Sequence, residues 1–314
     1  MTATDRQRFT VRFATAVFAI ALCAPLQVAR AENPAEEMFW KGANHTRQNQ
    51  DKQAFAVYDE IVRRYGNDSR PLVREWVINA LLNKAYTLNE GHKYNAAQSI
   101  YDEIDRRYGD DEDIVVRRRV FTALISRGDS LAMQGKIDGK IAVLDQVARR
   151  FGKDSDAGIR AWVVDALNDK ALLLDMRGHF NEAVGAFADA NRRFSDEADP
   201  KVRAQVAKMM LTMSALLGRH DRIGESIATI EEIDRRYGGD ASLDMRSVVA
   251  DALVNKAVGL ARLGKTGDAL NVCIEIERRY GRDDNTFTRQ VLTRSRQLKQ
   301  KILDADKGRA TSVS

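Results

Sequence analysis

The chain has 314 residues, a formal net charge of +5 and two cysteines, Cys23 and Cys273. So small an excess of positive charge gives little support for a nucleic-acid partner, which needs a strongly basic surface. With so few cysteines, stability has to come from packed apolar side chains rather than from disulfides.

The first 31 residues have the order of a secretory signal peptide. Basic residues end at Arg12, the apolar run 13–22 follows, and Ala29 and Ala31 supply the small residues of a cleavage site. The apolar run is shorter than the ~20 residues that a membrane-spanning helix needs. We therefore predict cleavage after Ala31 and a periplasmic or secreted protein.

Cys23 raises the alternative of a lipid anchor, for which the preceding residue should be small. Leu22 stands in that place, so the sequence favours a cleaved signal peptide. Cleavage removes four arginines and one aspartate, which lowers the net charge from +5 to +2. It also leaves Cys273 as the single cysteine, so the mature chain has no intramolecular disulfide.

An aromatic residue followed by glycine or serine recurs every 43 residues, and Arg-Arg precedes each step. The steps are Tyr65-Gly66, Tyr108-Gly109, Phe151-Gly152, Phe194-Ser195, Tyr237-Gly238 and Tyr280-Gly281. Such identical spacings mark a stacked repeat array, in which each unit packs only on its neighbours. Residues 32–304 are therefore predicted to form one solenoid instead of separate domains.

Residues 67–109 illustrate the unit. Apolar residues between Val73 and Leu88 recur at steps of three, four and seven, which predicts an amphipathic helix of ~28 Å. Gly91 interrupts this pattern, and a second apolar stripe ends at Tyr108. Gly109 is expected to end the second helix in the left-handed conformation. The sequence thus predicts an all-α fold of helical hairpins.

Small residues occupy fixed slots of the hairpin. The first helix has Ala85, Gly128, Ala171, Ser214 and Ala257; the turn has His92, Gly135, Gly178, Asp221 and Gly264; the second helix has Ala97, Lys140, Ala183, Ser226 and Ala269. Small side chains let the two helix axes approach closely. The pattern resembles the tetratricopeptide repeat (TPR), which implies a right-handed α-solenoid. This unit is nine residues longer than the usual 34-residue TPR, and the extra residues are expected to lengthen each first helix.

The repeat sets the expected boundaries. Six units end at residues 66, 109, 152, 195, 238 and 281, and the first unit is truncated. In unit 196–238, an early Gly218 predicts a shorter first helix. Residues 282–304 resemble a lone first helix whose basic residues make it polar, as expected of a capping helix. Residues 305–314 are predicted to be a disordered tail.

An arginine column and an acidic column follow the same period. They hold Arg74, Arg117, Arg160, Arg203, Arg246 and Arg289, and, six residues earlier in each case, Asp68, Asp111, Asp154, Glu197, Asp240 and Asp283. One interpretation is structural, with charges that complement helix dipoles. The other is a ladder of guanidinium groups for an anionic glycan or lipid of the cell envelope. Because each arginine has acidic neighbours, the structural interpretation is favoured.

The TPR resemblance implies a partner-binding groove lined by the first helices. Two slots would face it, with Leu82, Ile125, Asn168, Leu211 and Val254 in one, and Tyr86, Asp129, Leu172, Ala215 and Val258 in the other. The Lys and Asn residues with which one TPR subfamily clamps a C-terminal carboxylate are absent here, apart from Asn168. A mostly apolar lining suits an amphipathic helix or an extended apolar segment. Alternatively, the lengthened helices pack these residues together and leave no open groove.

The sequence contains no recognisable catalytic or metal-binding motif. The four histidines (His45, His92, His179 and His220) lack zinc-binding spacing, and there is no nucleophile elbow or phosphate-binding glycine loop. Cys273 lies in an apolar column, as expected of an inert core thiol. We therefore predict an exported, non-catalytic scaffold that needs no cofactor and binds a protein or peptide. A polyanion-binding envelope protein and an accessory subunit of an envelope enzyme are the alternatives.

Overall fold

The structure is a computed structural model, and it describes residues 33–283 and 285–311. This part of the chain is helical and contains no β-strand. The helices are α1 (Pro34–Arg47), α2 (Asp51–Tyr65), α3 (Pro71–Glu90), α4 (Tyr94–Tyr108), α5 (Ile114–Met133), α6 (Ile137–Phe151), α7 (Ala157–Met176), α8 (Phe180–Arg193), α9 (Pro200–Arg219), α10 (Ile223–Tyr237), α11 (Leu243–Arg262), α12 (Thr266–Tyr280) and α13 (Thr286–Thr311). The predicted signal peptide lies outside the described residues.

Successive helices form hairpins that stack along the chain. The odd-numbered first helices α3, α5, α7, α9 and α11 each have 20 residues, whereas the second helices have 14 or 15. Each first helix packs on its own second helix and on the hairpin before it. The predicted all-α solenoid is confirmed, and the extra residues of the unit do lengthen its first helices. The hand of the superhelix stays a prediction.

Local chemistry sets where the first helices begin. The side chain of Asp113 accepts a hydrogen bond of 2.8 Å from the Val115 amide, and that of Asp156 accepts one of 2.9 Å from the Ile159 amide. These contacts satisfy amides that have no partner inside the helix. Pro71 occupies the first position of α3, where its missing N–H costs nothing.

The left-handed backbone lies in the turn inside each hairpin, not at the aromatic–glycine step. The turn residues have φ between 57° and 83°; they are Asn49, His92, Gly135, Gly178, Asp221 and Gly264. The prediction for Gly109 was wrong, because its φ of −57° is right-handed. A close approach explains this glycine instead: an added Cβ would collide with the carbonyl oxygen of Asp105 and the guanidinium of Arg150.

Unit 196–238 has a first helix of full length, contrary to the prediction from Gly218. Helix α9 has 20 residues and ends at Arg219, one residue beyond that glycine. The chain turns only at Asp221, whose φ is 62°. A glycine inside a helix weakens it but does not by itself end it.

The third hairpin has an ion pair where the others have an alanine or a serine. Lys140 of α6 replaces the small residue and is only 5% exposed. Its Nζ lies 2.7 Å from Asp129 Oδ1 on α5. Gly128 on α5 leaves room for the lysine side chain. A Cβ added at this glycine would already lie 3.4 Å from Lys140, so a larger side chain would collide with it. Burial of the lysine is possible because its charge is paired.

Helix α13 covers the last hairpin. Val291 and Leu292 are buried against it, while Arg294 Nη1 lies 2.5 Å from Asp251 Oδ1. The exposed side of α13 carries Arg296, which pairs with Glu277 at 3.2 Å. The helix continues to Thr311 and so includes residues that were predicted to belong to a disordered tail. Residues 312–314 lie outside the described residues.

Candidate interaction surface

The arginine column joins neighbouring repeats. The first five arginines of the column each pair with an acidic residue 37 positions later, at the turn before the next first helix. The pairs are Arg74–Asp111 at 3.0 Å, Arg117–Asp154 at 3.0 Å, Arg160–Glu197 at 2.9 Å, Arg203–Asp240 at 3.7 Å and Arg246–Asp283 at 2.6 Å. Hydrogen bonding to Arg160 lowers the pKa of Glu197, as expected when the charged form of a carboxyl is stabilised. We call these contacts the inter-repeat clamps.

The second arginine of the Arg-Arg pair forms an ion pair with the preceding second helix where that helix has a carboxylate in the matching position. Arg150 reaches Asp105 of the preceding second helix at 2.5 Å, and Arg279 reaches Asp234 at 2.5 Å. At the corresponding place before Arg107 the chain has Val62, and Arg107 pairs with Glu103 of its own helix at 2.7 Å.

Both arginine columns therefore meet carboxylates within the protein. A ladder of guanidinium groups for a polyanion would need cations that are open to the ligand. This geometry favours the structural interpretation of the columns.

The ten predicted groove residues lie at the surface of the first helices to different degrees. Val254 is buried at 2% exposure, Val258 is 40% exposed, and Ala215 is also exposed. The other seven are half-buried, and Leu82 and Ile125 are among those that pack against the core. The first of the two slots is thus largely used by packing, whereas the second opens to solvent in the last two first helices.

Further exposed residues of the first helices lie on the same helix face as the second slot. Four residues after the second slot stand Met133 and Met176, which are 51% and 62% exposed. Seven residues before it stand Asp165 and Lys208, which are also exposed. Residues seven or four apart share one helix face, so the helical period could have revealed these positions. We call the surface formed by these residues and the second slot the first-helix face.

Helices α5 and α7 are spread apart at the centre of this face. Adjacent first helices elsewhere pack on each other, but these two make almost no backbone contact. Aromatic rings lie between them: the centroids of Phe121 and Trp162 are 5.5 Å apart, with an angle of 45° between the planes. Phe121 is buried, whereas Trp162 is 39% exposed.

Acidic groups of α7 border this gap. Burial among the neighbouring helices raises the pKa of Asp165 to about 6, and it raises the pKa of Asp169 as well. Asp165 is nevertheless exposed to solvent. The Oδ1 atom of Asn168, on the same helix, is buried and has no hydrogen-bond partner.

The histidines lie at or beside the hairpin turns. His220 stacks on Phe180 with ring centroids 4.1 Å apart, and its Nε2 lies 2.6 Å from Asp175 Oδ1. Residues 33–283 and 285–311 contain no group of three or more His, Cys, Asp or Glu side chains placed to hold a metal ion. None of the helices described is both long and apolar enough to cross a membrane. Cys273 is buried, and burial raises the pKa of its thiol.

Known proteins with a similar arrangement share little sequence with this chain. BtubC from P. vanneervenii is 14% identical with a TM-score of 0.49, and the match covers 79% of this chain and 91% of BtubC. The apo form of RapI is 11% identical with a TM-score of 0.47, with 85% and 75% covered. The TPR2AB domain of yeast Sti1, in its pHSP90 complex, is 15% identical with a TM-score of 0.31, with 85% and 98% covered.

No protein-family model matches the chain, and no curated protein matches it. Its TPR-like character is confirmed at the level of the fold. The helix order, the regular hairpins and the buried small residues Ala85 and Ala97 of this chain carry that assignment. What the protein binds has to be argued from its own surface.

Proposed function

We propose that the protein is an exported, non-catalytic scaffold that binds a segment of another protein across its first-helix face. The observation that carries the proposal is the exposure of large apolar side chains on this face, above all Met133 and Met176. Methionine side chains are flexible and polarisable, which suits a surface that adapts to a partner. A bound helix or extended segment would place apolar side chains against them.

The inter-repeat clamps also support the proposal. Their arginines, which a polyanion would need, are paired with carboxylates of the neighbouring repeat. The residues that recur in every repeat thus stabilise the array, whereas the residues of the first-helix face, which differ between repeats, remain available to a partner. Retention on a heparin column at low salt would instead support the polyanion alternative.

Site-specific photocrosslinking tests the proposal. A photoreactive amino acid at Met176 should yield an adduct with a partner protein in intact cells, which mass spectrometry can identify. The matched control is Ile274, an equally apolar residue that is 52% exposed but lies on second helix α12. Equal adducts from both positions, or none from Met176, would contradict the proposed surface.

Export rests on the signal peptide predicted for residues 1–31, and it can be tested separately. Amino-terminal sequencing of protein from the extracytoplasmic fraction should begin at Glu32. A protein that keeps its first residues and stays in the cytoplasm would contradict export but leave the binding surface unaffected. A partner that proves to be an enzyme, with a rate that changes on binding, would identify the protein as an accessory subunit.

A further inference from the structure

The first-helix face carries an aromatic ring and a carboxylate side by side at its centre. Trp162 and Asp165 are three residues apart on α7, a spacing that brings side chains together on one helix face. Trp162 is 39% exposed and is held from below by the buried ring of Phe121, 5.5 Å away. One face of the indole is thus supported by the protein, and the rest of the ring is open to a ligand.

Asp165 has no ion pair or hydrogen bond among the described residues, and the same holds for Asp169 one turn further along α7. The neighbouring Lys140 is buried against Asp129 on α5, so its charge is directed to another carboxylate. Lys208 on α9 also attracts the Asp165 carboxylate, yet its side chain is exposed and forms no ion pair with it. Asp165 is therefore an anion that no cation of the described residues contacts directly.

We propose that Trp162 and Asp165 form a receptor for one arginine or lysine side chain of the bound protein segment. This inference rests on the proposed function and specifies the chemistry of the partner. The cation would lie over the indole, where the negative face of the ring attracts it. The Asp165 carboxylate would accept its N–H groups in a charge-assisted hydrogen bond. Leu172 and Met176, about two and three turns beyond Asp165 on α7, would contact apolar residues beside the cation.

Charge complementarity selects a cation over other occupants. An anionic side chain would meet three carboxylates, Asp165 and Asp169 on α7 and Asp129 on α5, against two nearby cations, Lys140 and Lys208. A wholly apolar segment would leave the Asp165 carboxylate desolvated and unpaired, which is costly. The buried Oδ1 atom of Asn168, which accepts no hydrogen bond, offers a further acceptor beside the receptor.

The same groups set the pH dependence. A cation binds the ionised carboxylate, and the pKa of Asp165 is raised to about 6. Binding should therefore strengthen as pH rises through about 6 and weaken below it. The cation Lys208 on α9 lowers this pKa and Asp169 raises it, while Asp129 and Lys140 act on Asp169 from α5 and α6. Lys208 also competes with the ligand for Asp165, so its removal should favour binding.

An NMR titration of the ¹⁵N-labelled protein with N-acetyl-arginine amide tests the receptor. The probe should shift the indole N–H signal of Trp162, assigned with Trp162→Phe, and the amides around Asp165, in a saturable manner. The neutral isostere N-acetyl-citrulline amide should bind about tenfold more weakly because it lacks the charge. Asp165→Asn should weaken arginine binding by about the same factor, whereas Lys208→Met should strengthen it.

Asp244→Asn is the matched control, because it removes another exposed carboxylate at the start of first helix α11. It should leave the titration unchanged, and unaltered amide spectra outside α7 show that each variant is folded. No saturable shift, equal binding of the citrulline probe, or wild-type binding by Asp165→Asn would each overturn the receptor. Such a result with an intact crosslink from Met176 would remove the cation receptor alone, whereas loss of the crosslink would remove the proposed function.

Discussion

Arg117 Nε lies 3.0 Å from Asp154 Oδ2, so the first helix of one repeat is tied to the turn that introduces the first helix of the next. The Asp154 side chain is only 7% exposed, and its other oxygen accepts a hydrogen bond of 2.8 Å from the Asp156 amide. One carboxylate thus fixes a neighbouring helix and its own turn at the same time.

Breaking this clamp should weaken the whole array. We expect Asp154→Asn to lower the free energy of unfolding by about 1–3 kcal/mol, because the Arg117 charge loses a largely buried partner. The matched control is Glu60→Gln, which removes pairs with Arg63 and Arg64 inside one helix. That change should destabilise the protein less than Asp154→Asn, because water and salt screen such surface pairs. Urea unfolding checks both, and equal effects would show that the clamp contributes no more than a surface pair.

The glycine of the aromatic–glycine step should not tolerate a side chain. Gly109→Ala is expected to destabilise the protein by about 1–3 kcal/mol, since the added Cβ has to displace the Asp105 carbonyl and Arg150. In the helix interior, Gly185 has no neighbour within 4 Å of an added Cβ. Gly185→Ala should therefore stabilise the protein by ~0.5–1 kcal/mol. Thermal unfolding of the two variants should move in opposite directions.

Substitution of the turn glycines should destabilise the protein for a different reason. Gly178 has open space around an added Cβ but a φ of 83°. Gly178→Ala should cost about 1–2 kcal/mol because a Cβ is strained in the left-handed region. Asn should be tolerated better than Ala at this position, because asparagine adopts this conformation more readily. Equal melting temperatures for the two variants would argue against backbone strain as the cause.

Stability should depend on pH through two carboxyl groups, Glu275 and Asp165, whose pKa values shift in opposite directions on folding. Hydrogen bonds from Arg278 and Arg279 lower the pKa of Glu275 from 4.5 to about 2. Its contribution is present above about pH 4.5 and is lost as pH falls towards 2. Glu275→Gln should therefore lower the melting temperature at pH 7, and the difference from the wild type should shrink in acid.

The pKa of Asp165 shifts in the opposite direction. Burial raises its pKa from 3.8 to about 6, so the folded state holds its proton more tightly and stability falls as pH rises between these values. Asp165→Asn should raise the melting temperature above pH 6 and have little effect below about pH 4. The same variant is expected to bind arginine about tenfold more weakly, so that the carboxylate would lower stability but strengthen recognition. A variant that melts like the wild type at every pH would contradict the raised pKa.

The helical hairpins could be predicted from the sequence because the apolar steps and the 43-residue period repeat without slippage. The clamps were harder to predict, since an acidic residue six positions before Arg117 suggested a local pair. In three dimensions Arg117 instead pairs with Asp154, the equivalent residue of the next unit. Periodicity shows which residues are equivalent, but the stacking of the hairpins decides which equivalents meet.

The first-helix face could be predicted only in part. Resemblance to the TPR pointed to slots such as Leu82, many of which are half-buried because adjacent hairpins pack there. The exposed Met176 and Asp165 lie on the same helices and follow from the helical period alone. The gap between α5 and α7 could not be foreseen, because the repeat period assigns the same spacing to every pair of adjacent first helices.

The constant offset of 37 residues in the clamps restricts how this array can change in length. Every clamp donor meets an acceptor from an equivalent turn, so the loss or duplication of a whole 43-residue unit joins a donor to another valid acceptor. The insertion of a single residue within a unit has no such remedy, since it shifts one arginine away from its carboxylate. The surface available to a partner can therefore be lengthened or shortened in steps of one hairpin.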